Sequence, residues 1–68
     1  MIEVDARGLS CPEPVIKTKK ALSGSPQEIK IIVDNNVAKE NVSRLLESTG
    51  YTISVKEEQE DIFVHGKK

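Results

Sequence analysis

Residues 9–14 read LSCPEP, and they stand where an alternating apolar segment gives way to a segment with helical spacing. Proline is favoured in the first turn of a helix, because its missing N–H would have no partner there. Pro12 and Pro14 therefore predict a helix that begins at residue 12, with Cys11 at or next to the N-cap. The free N–H groups and the positive end of the helix dipole would then face the sulfur.

This position makes Cys11, the only cysteine of the chain, a candidate reactive thiol. A thiolate is stabilised at a helix N-terminus, so we expect a thiol pKa below the ordinary value of about 8.5, although Glu13 opposes the shift. No histidine stands nearby in sequence to act as a base, which favours a sulfur that accepts and passes on a group. The alternative from residue type is a buried apolar filler, the usual role of a lone cysteine in a small domain.

The rest of the chain alternates strand and helix patterns. We predict strands over residues 2–6, 28–34, 51–56 and 62–65, and helices over 12–22 and 37–49, with a cap at 34–36, a stop at Gly50 and an acidic turn at 57–60. Residues 65–68 read as a solvated, fraying end that includes His65. The residues expected to face the core are Ile2, Val4, Ala6, Val15, Thr18, Ala21, Leu22, Ile29, Ile31, Val33, Ala38, Val42, Leu45, Leu46, Thr49, Tyr51, Ile53, Val55, Ile62 and Val64.

This pattern predicts the order βαβαββ. The strand–helix–strand beginning implies two parallel strands with a right-handed crossover, and the last two strands form a hairpin. Each element carries one apolar stripe, so both helices cover the same sheet face. The fold class is therefore α/β, a two-layer sandwich with a mixed four-stranded sheet. The other face carries Ile32 and Phe63 among polar residues, and it is either open to water or covered by a partner.

Composition excludes several classes of function. A chain of 68 residues forms one domain, and its single cysteine excludes an intrachain disulfide, which fits a reducing cytoplasm. A net charge of −1 and 3% aromatic residues argue against a nucleic-acid surface. The sequence has no signal peptide pattern and no apolar run of membrane-spanning length, so we expect no contact with a membrane. One cysteine and one histidine do not predict a metal site.

Residues 5–15, DARGLSCPEPV, followed by KKAL at 19–22, resemble the TusA/SirA/YedF family of small sulfur carriers. The match runs from strand to helix end without a gap, and Cys-Pro-x-Pro in that frame is a specific signal. The resemblance implies the same fold and no cofactor. It also implies that Cys11 receives sulfane sulfur as a persulfide from a donor protein, such as a cysteine desulfurase, and relays it to an acceptor protein.

The second helix points to one branch of that family. The Asp-Ile-Pro type motif of the branch that supplies sulfur for tRNA thiolation is absent, whereas residues 33–42, VDNNVAKENV, resemble the YedF-type branch, linked to selenium metabolism. Members of that branch often continue into a second domain. We therefore expect residues 1–68 to form a single TusA-like domain, either complete or the N-terminal domain of a longer protein, and sulfur and selenium both stay open as cargo.

Residues around the cysteine receive supporting roles. Gly8 is expected to allow a sharp bend in the loop of residues 7–10, and Leu9 either packs into the core or covers the thiol. Ile16 lies off the core stripe one turn beyond the cysteine, as a docking contact or as an ordinary exposed residue. The supporting residues are thus Pro12, Glu13, Pro14, Gly8 and Leu9, and the partner-docking residues are Ile16, Lys17 and Lys20.

Charged residues of the first helix have two interpretations. Glu13 and Lys17 are spaced i,i+4 with the acid first, which favours an ion pair on the helix surface. Lys17 and Lys20 also point away from the core, where they would steer an acidic partner.

The competing functional class is a protein-binding or regulatory module, in which Cys11 is a redox-sensing or structural residue. A self-sufficient enzyme such as a peroxidase is disfavoured, because the sequence shows neither a base nor a resolving cysteine. We therefore expect a sulfurtransferase-like carrier, and Cys11→Ser separates it from a docking module.

Overall fold

The structure, a computed structural model, describes residues 2–9, 13–24 and 26–68. Its elements confirm the predicted order βαβαββ and the mixed four-stranded sheet. They are β1 (Ile2–Asp5), α1 (Glu13–Ala21), a short 3-10 helix (Leu22–Gly24), β2 (Glu28–Val33), α2 (Asn36–Ser48), β3 (Thr52–Glu58) and β4 (Asp61–Lys67).

The strand order in the sheet is β1-β2-β4-β3. β1 pairs with β2 in parallel, and β4 is antiparallel to both β2 and β3, as predicted for the crossover and the hairpin. In this register Asp5 lies beside Ile32, and Ile32 lies beside Phe63. β1 and β2 therefore end where β4 begins, and we call this the carboxyl end of the sheet.

The core lies on the face of the sheet that the helices cover. Ile29, Ile31 and Val33 of β2 are completely buried, which confirms the predicted alternation of that strand. Tyr51 is also buried, and its hydroxyl donates to the carbonyl of Pro26. A buried phenol needs such a partner, because an unpaired polar group is costly in the core. The core cluster consists of Val4, Ala6, Ile29, Ile31, Val33, Ala38, Val42, Leu46, Tyr51, Ile62 and Val64.

The opposite face of the sheet carries Ile32 and Phe63, both partly buried. The Lys30 ammonium lies 5.3 Å from the centroid of the Phe63 ring. A lysine ammonium within about 6 Å of a ring centroid is attracted to the face of the ring. The contact therefore places a charged group beside the aromatic residue on the sheet face that the helices leave uncovered.

The buried stripe of α2 differs from the predicted one. The residues that bury fully or nearly so are Ala38, Val42 and Leu46, which are spaced by four, whereas Leu45 is only partly buried and Thr49 is exposed. The helix thus turns its i, i+4, i+8 row toward the sheet, and the prediction for Leu45 and Thr49 was wrong. Thr49 is the C-cap, and its hydroxyl donates to the last carbonyls of the helix instead.

Both ends of α2 have the predicted capping. The side chain of Asn35 accepts a hydrogen bond of 2.8 Å from the N–H of Ala38, which satisfies a free group of the first turn. At the other end Gly50 has a φ of 94°, and the N–H of Tyr51 donates to the carbonyl of Leu46 over 3.0 Å. With the bond from the Gly50 N–H to the Glu47 carbonyl over 3.1 Å, this contact forms a Schellman motif at the predicted stop.

The buried residues of α1 are Pro14 and Thr18. The Thr18 hydroxyl donates to the Pro14 carbonyl over 2.8 Å, so this buried polar group is satisfied. Val15 and Leu22 are only partly buried, because the side of the helix that carries Pro14 faces inward and because Leu22 belongs to the 3-10 turn. Leu22 still packs against the core cluster, as predicted, whereas Val15 is not part of that cluster.

Two further expectations were wrong in the C-terminal hairpin. Val55 is 42% exposed, because it lies on the edge strand β3. The turn consists of Gln59 and Glu60 alone, since Glu58 already pairs with Asp61.

The C-terminal residues do not fray either, because β4 continues to Lys67 and the N–H of Lys68 donates to the carbonyl of Gln27 over 2.9 Å. His65 lies within this strand and is partly buried, with its Nε2 atom 3.2 Å from the Glu28 carboxylate. Among the helices of the described ranges, none is long and apolar enough to cross a membrane.

The adjacent residues Leu45 and Leu46 of α2 provide a direct test of how this helix is turned toward the sheet. Leu46→Ala should lower the free energy of unfolding by about 2–5 kcal/mol, because it leaves a cavity at a completely buried site. Leu45→Ala, its matched control, should cost about 1 kcal/mol or less. Urea unfolding followed by circular dichroism measures both, and a larger loss for Leu45→Ala would contradict the orientation.

The left-handed position at the end of α2 provides a second test. Gly50→Ala should lower the free energy of unfolding by about 1 kcal/mol, because an L side chain is strained at a φ of 94°. Gly24→Ala is the control, since nothing lies within 4 Å of an added Cβ and no positive φ is present there. That variant should stay within about 0.5 kcal/mol of the wild type in the same urea titration. Equal effects of the two substitutions would contradict the assignment.

Candidate functional site

The candidate site is the loop between β1 and α1. Cys11 and Pro12 lie outside the described residues, so the N-cap position of the thiol stays a prediction. Leu9 and Glu13 are each separated from Cys11 by one residue, and both are described. The geometry of the site is therefore that of the residues on either side of the cysteine.

Gly8 forms the predicted bend before the cysteine. Its φ is 76°, a left-handed conformation that glycine adopts without steric cost. Its N–H donates to Oδ2 of Asp34 over 2.8 Å, and the other oxygen of this carboxylate accepts from Nδ2 of Asn35 over 3.1 Å. Because Asn35 caps α2, the loop before Cys11 is joined to the beginning of the second helix.

Arg7 clamps the same loop to the sheet. Its Nε and one terminal nitrogen donate to the two oxygens of Asp5, over 3.0 and 2.9 Å, and its backbone N–H donates to Oδ1 of Asp5 over 3.1 Å. Its other terminal nitrogen reaches Oδ2 of Asp61 at 3.1 Å. A planar guanidinium suits this arrangement, because its fork of donors matches the two oxygens of a carboxylate.

The clamp changes the acid–base behaviour of its members. Hydrogen bonds from the side chain and then from the backbone of Arg7 lower the pKa of Asp5 from 3.8 to about 2. The hydrogen bond to Asp5 likewise raises the pKa of Arg7 above its usual range. Both side chains are about half exposed, so solvent screens the pair and its value lies in fixing the geometry of the loop.

The remaining predicted site residues occupy three kinds of position. Leu9 is partly buried and packs against the core cluster, as its packing interpretation predicts. Pro14 is among the fully buried side chains, so the first turn of α1 is anchored in the core. Glu13, Lys20 and Ile16 are exposed, and Ile16, at 46%, confirms the prediction that it lies off the core stripe.

Lys17 contacts β1 rather than the predicted partner Glu13. Its Nζ atom donates to the backbone carbonyl of Asp5 over 3.0 Å. The ammonium thus satisfies the last carbonyl of β1 and ties α1 to that strand across the loop. The two ends of the loop that contains Cys11 are consequently held together by a side chain of its own helix.

The predictions from sequence missed Arg7, Asp34 and Asp61 as parts of this site. Asp61 is 54 residues from Arg7 in the chain, and Asp34 is 26 residues from Gly8. Only the strand order brings these residues to the carboxyl end of the sheet. The one signal in the sequence was the parallel pairing of β1 and β2, because parallel strands end at the same side of a sheet.

His65 is remote from this site. It pairs with Lys30 in the sheet register and contacts Glu28, at the beginning of β2, whereas the loop lies at the end of that strand. Within residues 2–9, 13–24 and 26–68, no group of three or more histidine, cysteine or acidic side chains is arranged to hold a metal ion.

Comparison with known proteins identifies the family. The family described as "Sulfurtransferase TusA" matches residues 2–66. The chain belongs to the TusA family. The family predicted from the Cys-Pro-Glu-Pro stretch and its surroundings is confirmed, whereas the YedF-type branch stays a prediction.

Individual members of the family support this result. A protein of Methanocaldococcus jannaschii named as a candidate sulfur carrier is 42% identical over 65 residues, which cover 93% of this chain and 87% of the relative. A second candidate carrier, of Archaeoglobus fulgidus, is 35% identical over 63 residues, with 90% and 82% covered. The crystal structure of a SirA-like protein from Desulfitobacterium hafniense has a TM-score of 0.88 at 32% identity, with 98% and 96% covered. The fold is therefore shared over nearly the whole chain.

The Arg7 clamp predicts a specific dependence on pH. Because the pKa of Asp5 is lowered in the folded state, its stabilising contribution is present above the unfolded value of 3.8 and is lost as the pH falls toward 2. Arg7→Gln should raise the pKa of Asp5 toward 3.8 and weaken the loss of stability between pH 4 and pH 2. NMR titration of the Asp5 carboxyl and urea unfolding across this range measure the two effects.

The control is Arg44→Gln, which makes the same charge change at an exposed position on α2. It should leave the pKa of Asp5 near its wild-type value, because Arg44 is not part of the clamp. An unchanged Asp5 pKa in Arg7→Gln would contradict the role of the clamp.

Proposed function

We propose that the protein is a sulfur carrier that receives sulfane sulfur on Cys11 and relays it to an acceptor protein. The observation that carries the proposal is the Cys-Pro-Glu-Pro stretch of the sequence, residues 11–14, in a chain that belongs to the TusA family over residues 2–66. Two relatives are named as candidate sulfur carriers, which supports the same role.

The transfer proceeds by thiol–persulfide exchange. The Cys11 thiolate attacks the outer sulfur of a persulfide on the donor protein, and a new sulfur–sulfur bond forms on Cys11. The bond inside the donor persulfide breaks, and its electron pair leaves with the donor thiolate. No net oxidation occurs, so the step requires neither a metal nor an organic cofactor. The acceptor then takes the outer sulfur from Cys11 in the same way.

The residues on either side of Cys11 suit this chemistry. The first turn of α1 is anchored by the buried Pro14, and the loop before the cysteine is held by hydrogen bonds from Arg7 and Gly8. In our proposal Pro12 stiffens the helix start, and the N–H groups of the first turn stabilise the sulfur anion. Functional residues commonly sit on loops that a rigid scaffold holds in place.

The donor and the acceptor dock at the same end of the molecule in this proposal. Ile16 supplies an exposed apolar contact on α1, with Lys20 exposed nearby on the same helix. A protein such as a cysteine desulfurase is the proposed donor. The finer assignment, to the YedF-type branch with selenium as an alternative cargo, rests on residues 33–42 and is part of the proposal. The thiol chemistry suits a reducing compartment such as the cytoplasm.

The second candidate function is a protein-binding or regulatory module. The exposure of Ile16 and Val37 favours it, because both are large apolar side chains on the surface of helices. In this module Cys11 senses oxidation or has a structural role, and the function of the surface is to bind a partner. The two candidates differ in whether binding survives when transfer is lost.

Intact mass spectrometry after incubation with a cysteine desulfurase and cysteine tests the proposal. The wild type should gain one sulfur, which a later reductant removes, and Cys11→Ser should gain none while it still folds and binds the donor. The reductant matters, because two added oxygens weigh nearly the same as one sulfur and a sulfinic acid does not come off. A wild type that gains no sulfur from any of several desulfurases, with partner binding intact in Cys11→Ser, would favour the docking module.

A further inference from the structure

We propose that Asp34 is a positioning residue for the Cys11 thiol, through its hydrogen bond to the backbone of Gly8. The inference rests on the proposed function, because the position of the Cys11 thiol matters here only if it reacts with a sulfur atom of another protein. Asp34 lies directly after β2 and is distant in sequence from the cysteine.

The carboxylate of Asp34 is itself held in place. Oδ2 accepts from the Gly8 N–H at 2.8 Å, and Oδ1 accepts from Nδ2 of Asn35 at 3.1 Å. The side-chain oxygen of Asn35 in turn accepts from the N–H of Ala38 at 2.8 Å. The loop is therefore attached through Asp34 to the N-cap of a 13-residue helix, which is a rigid support.

The hydrogen bond from Gly8 to Asp34 lies at the bend of the loop. Gly8 has a φ of 76°, and a glycine is the residue with the largest freedom to leave such a conformation. The Arg7 clamp and the Lys17 contact hold Asp5 and Arg7 themselves, so in the described residues Gly8 depends on Asp34 for its polar anchor. A hydrogen bond to a charged acceptor is stronger than one between neutral groups.

The position of the sulfur affects two kinds of reaction differently. Transfer from a docked protein requires the attacking sulfur to approach the donor persulfide in one geometry, and an error of about 1 Å can cost on the order of a hundredfold in rate. A small freely diffusing alkylating agent reaches a thiol in many loop conformations. A loss of positioning should therefore slow the protein reaction and leave alkylation nearly unchanged.

The experiment compares the wild type with Asp34→Ala, Asp34→Asn and Glu58→Ala. Asp34→Ala removes the acceptor, whereas Asp34→Asn keeps an oxygen that can accept the Gly8 N–H and removes the charge together with the acceptor for Nδ2 of Asn35. Glu58→Ala is the matched control, because it makes the same charge change at an exposed residue that contacts Lys56 and has no bond to the loop. Urea unfolding verifies that all variants are folded.

Three measurements follow for each protein. They are the single-turnover transfer of sulfur from a loaded cysteine desulfurase at varied donor concentration, the alkylation of Cys11 by iodoacetamide across pH, and amide hydrogen exchange over residues 9–13. Asp34→Ala should lose at least about fivefold in maximal transfer rate, with the half-saturating donor concentration within about twofold. Its alkylation rate and thiol pKa should match the wild type, and its amide exchange should accelerate by about fivefold or more. Asp34→Asn and Glu58→Ala should stay within about twofold of the wild type throughout.

Several outcomes would overturn the inference. They are an unchanged transfer rate in Asp34→Ala, an equal loss in Asp34→Asn, an equal loss in Glu58→Ala, and a fall of alkylation in proportion to transfer. If the wild type takes up no sulfur, the proposed function fails, and amide exchange then decides the positioning role without a donor. Unchanged exchange in Asp34→Ala overturns that role, and accelerated exchange restored in Asp34→Asn supports it.

Discussion

The antiparallel pairing of β4 with β2 is the contact on which the rest of the structure depends. It gives β2 a neighbour on both sides, so its backbone groups are paired, and its apolar residues that face the helices, Ile29, Ile31 and Val33, are completely buried. Because β4 is the last element of the chain, this pairing joins residues 28–33 to residues 62–67 and closes the domain. A chain of 68 residues buries only a small core, and its single cysteine cannot form an intrachain disulfide.

The same pairing builds the surroundings of the candidate site. It places Asp61 within reach of Arg7, and the parallel pairing of β1 with β2 places Asp34 within reach of Gly8. Lys17 then connects α1 to the end of β1. In the described residues the loop is thus held by polar contacts at the surface and by Leu9, which packs against the core cluster. Functional residues commonly lie on loops that a rigid scaffold holds in this way.

The two faces of the sheet differ in what covers them. One face is covered by both helices and contains the core cluster. The other face is not covered by the helices, and there the Lys30 ammonium lies 5.3 Å from the centroid of the Phe63 ring. Sulfur transfer in our proposal uses neither face, since it takes place at the carboxyl end of the sheet. A small carrier can therefore present its reactive residue without opening its core.

The sequence by itself determined the order of elements, the sheet type, the caps of α2 and the family, because these depend on local periodicity, on capping residues and on one specific stretch. The stop at Gly50 and a cap within residues 34–36 could be assigned correctly, since both roles involve neighbours within a few residues. Only the tertiary structure decided the rest. The choice of Leu46 over Leu45 depends on how α2 crosses the sheet, and the roles of Arg7 and Asp34 depend on contacts between residues distant in the chain. Linear periodicity carries no information on such pairings, because strand order is set by the packing of the whole chain.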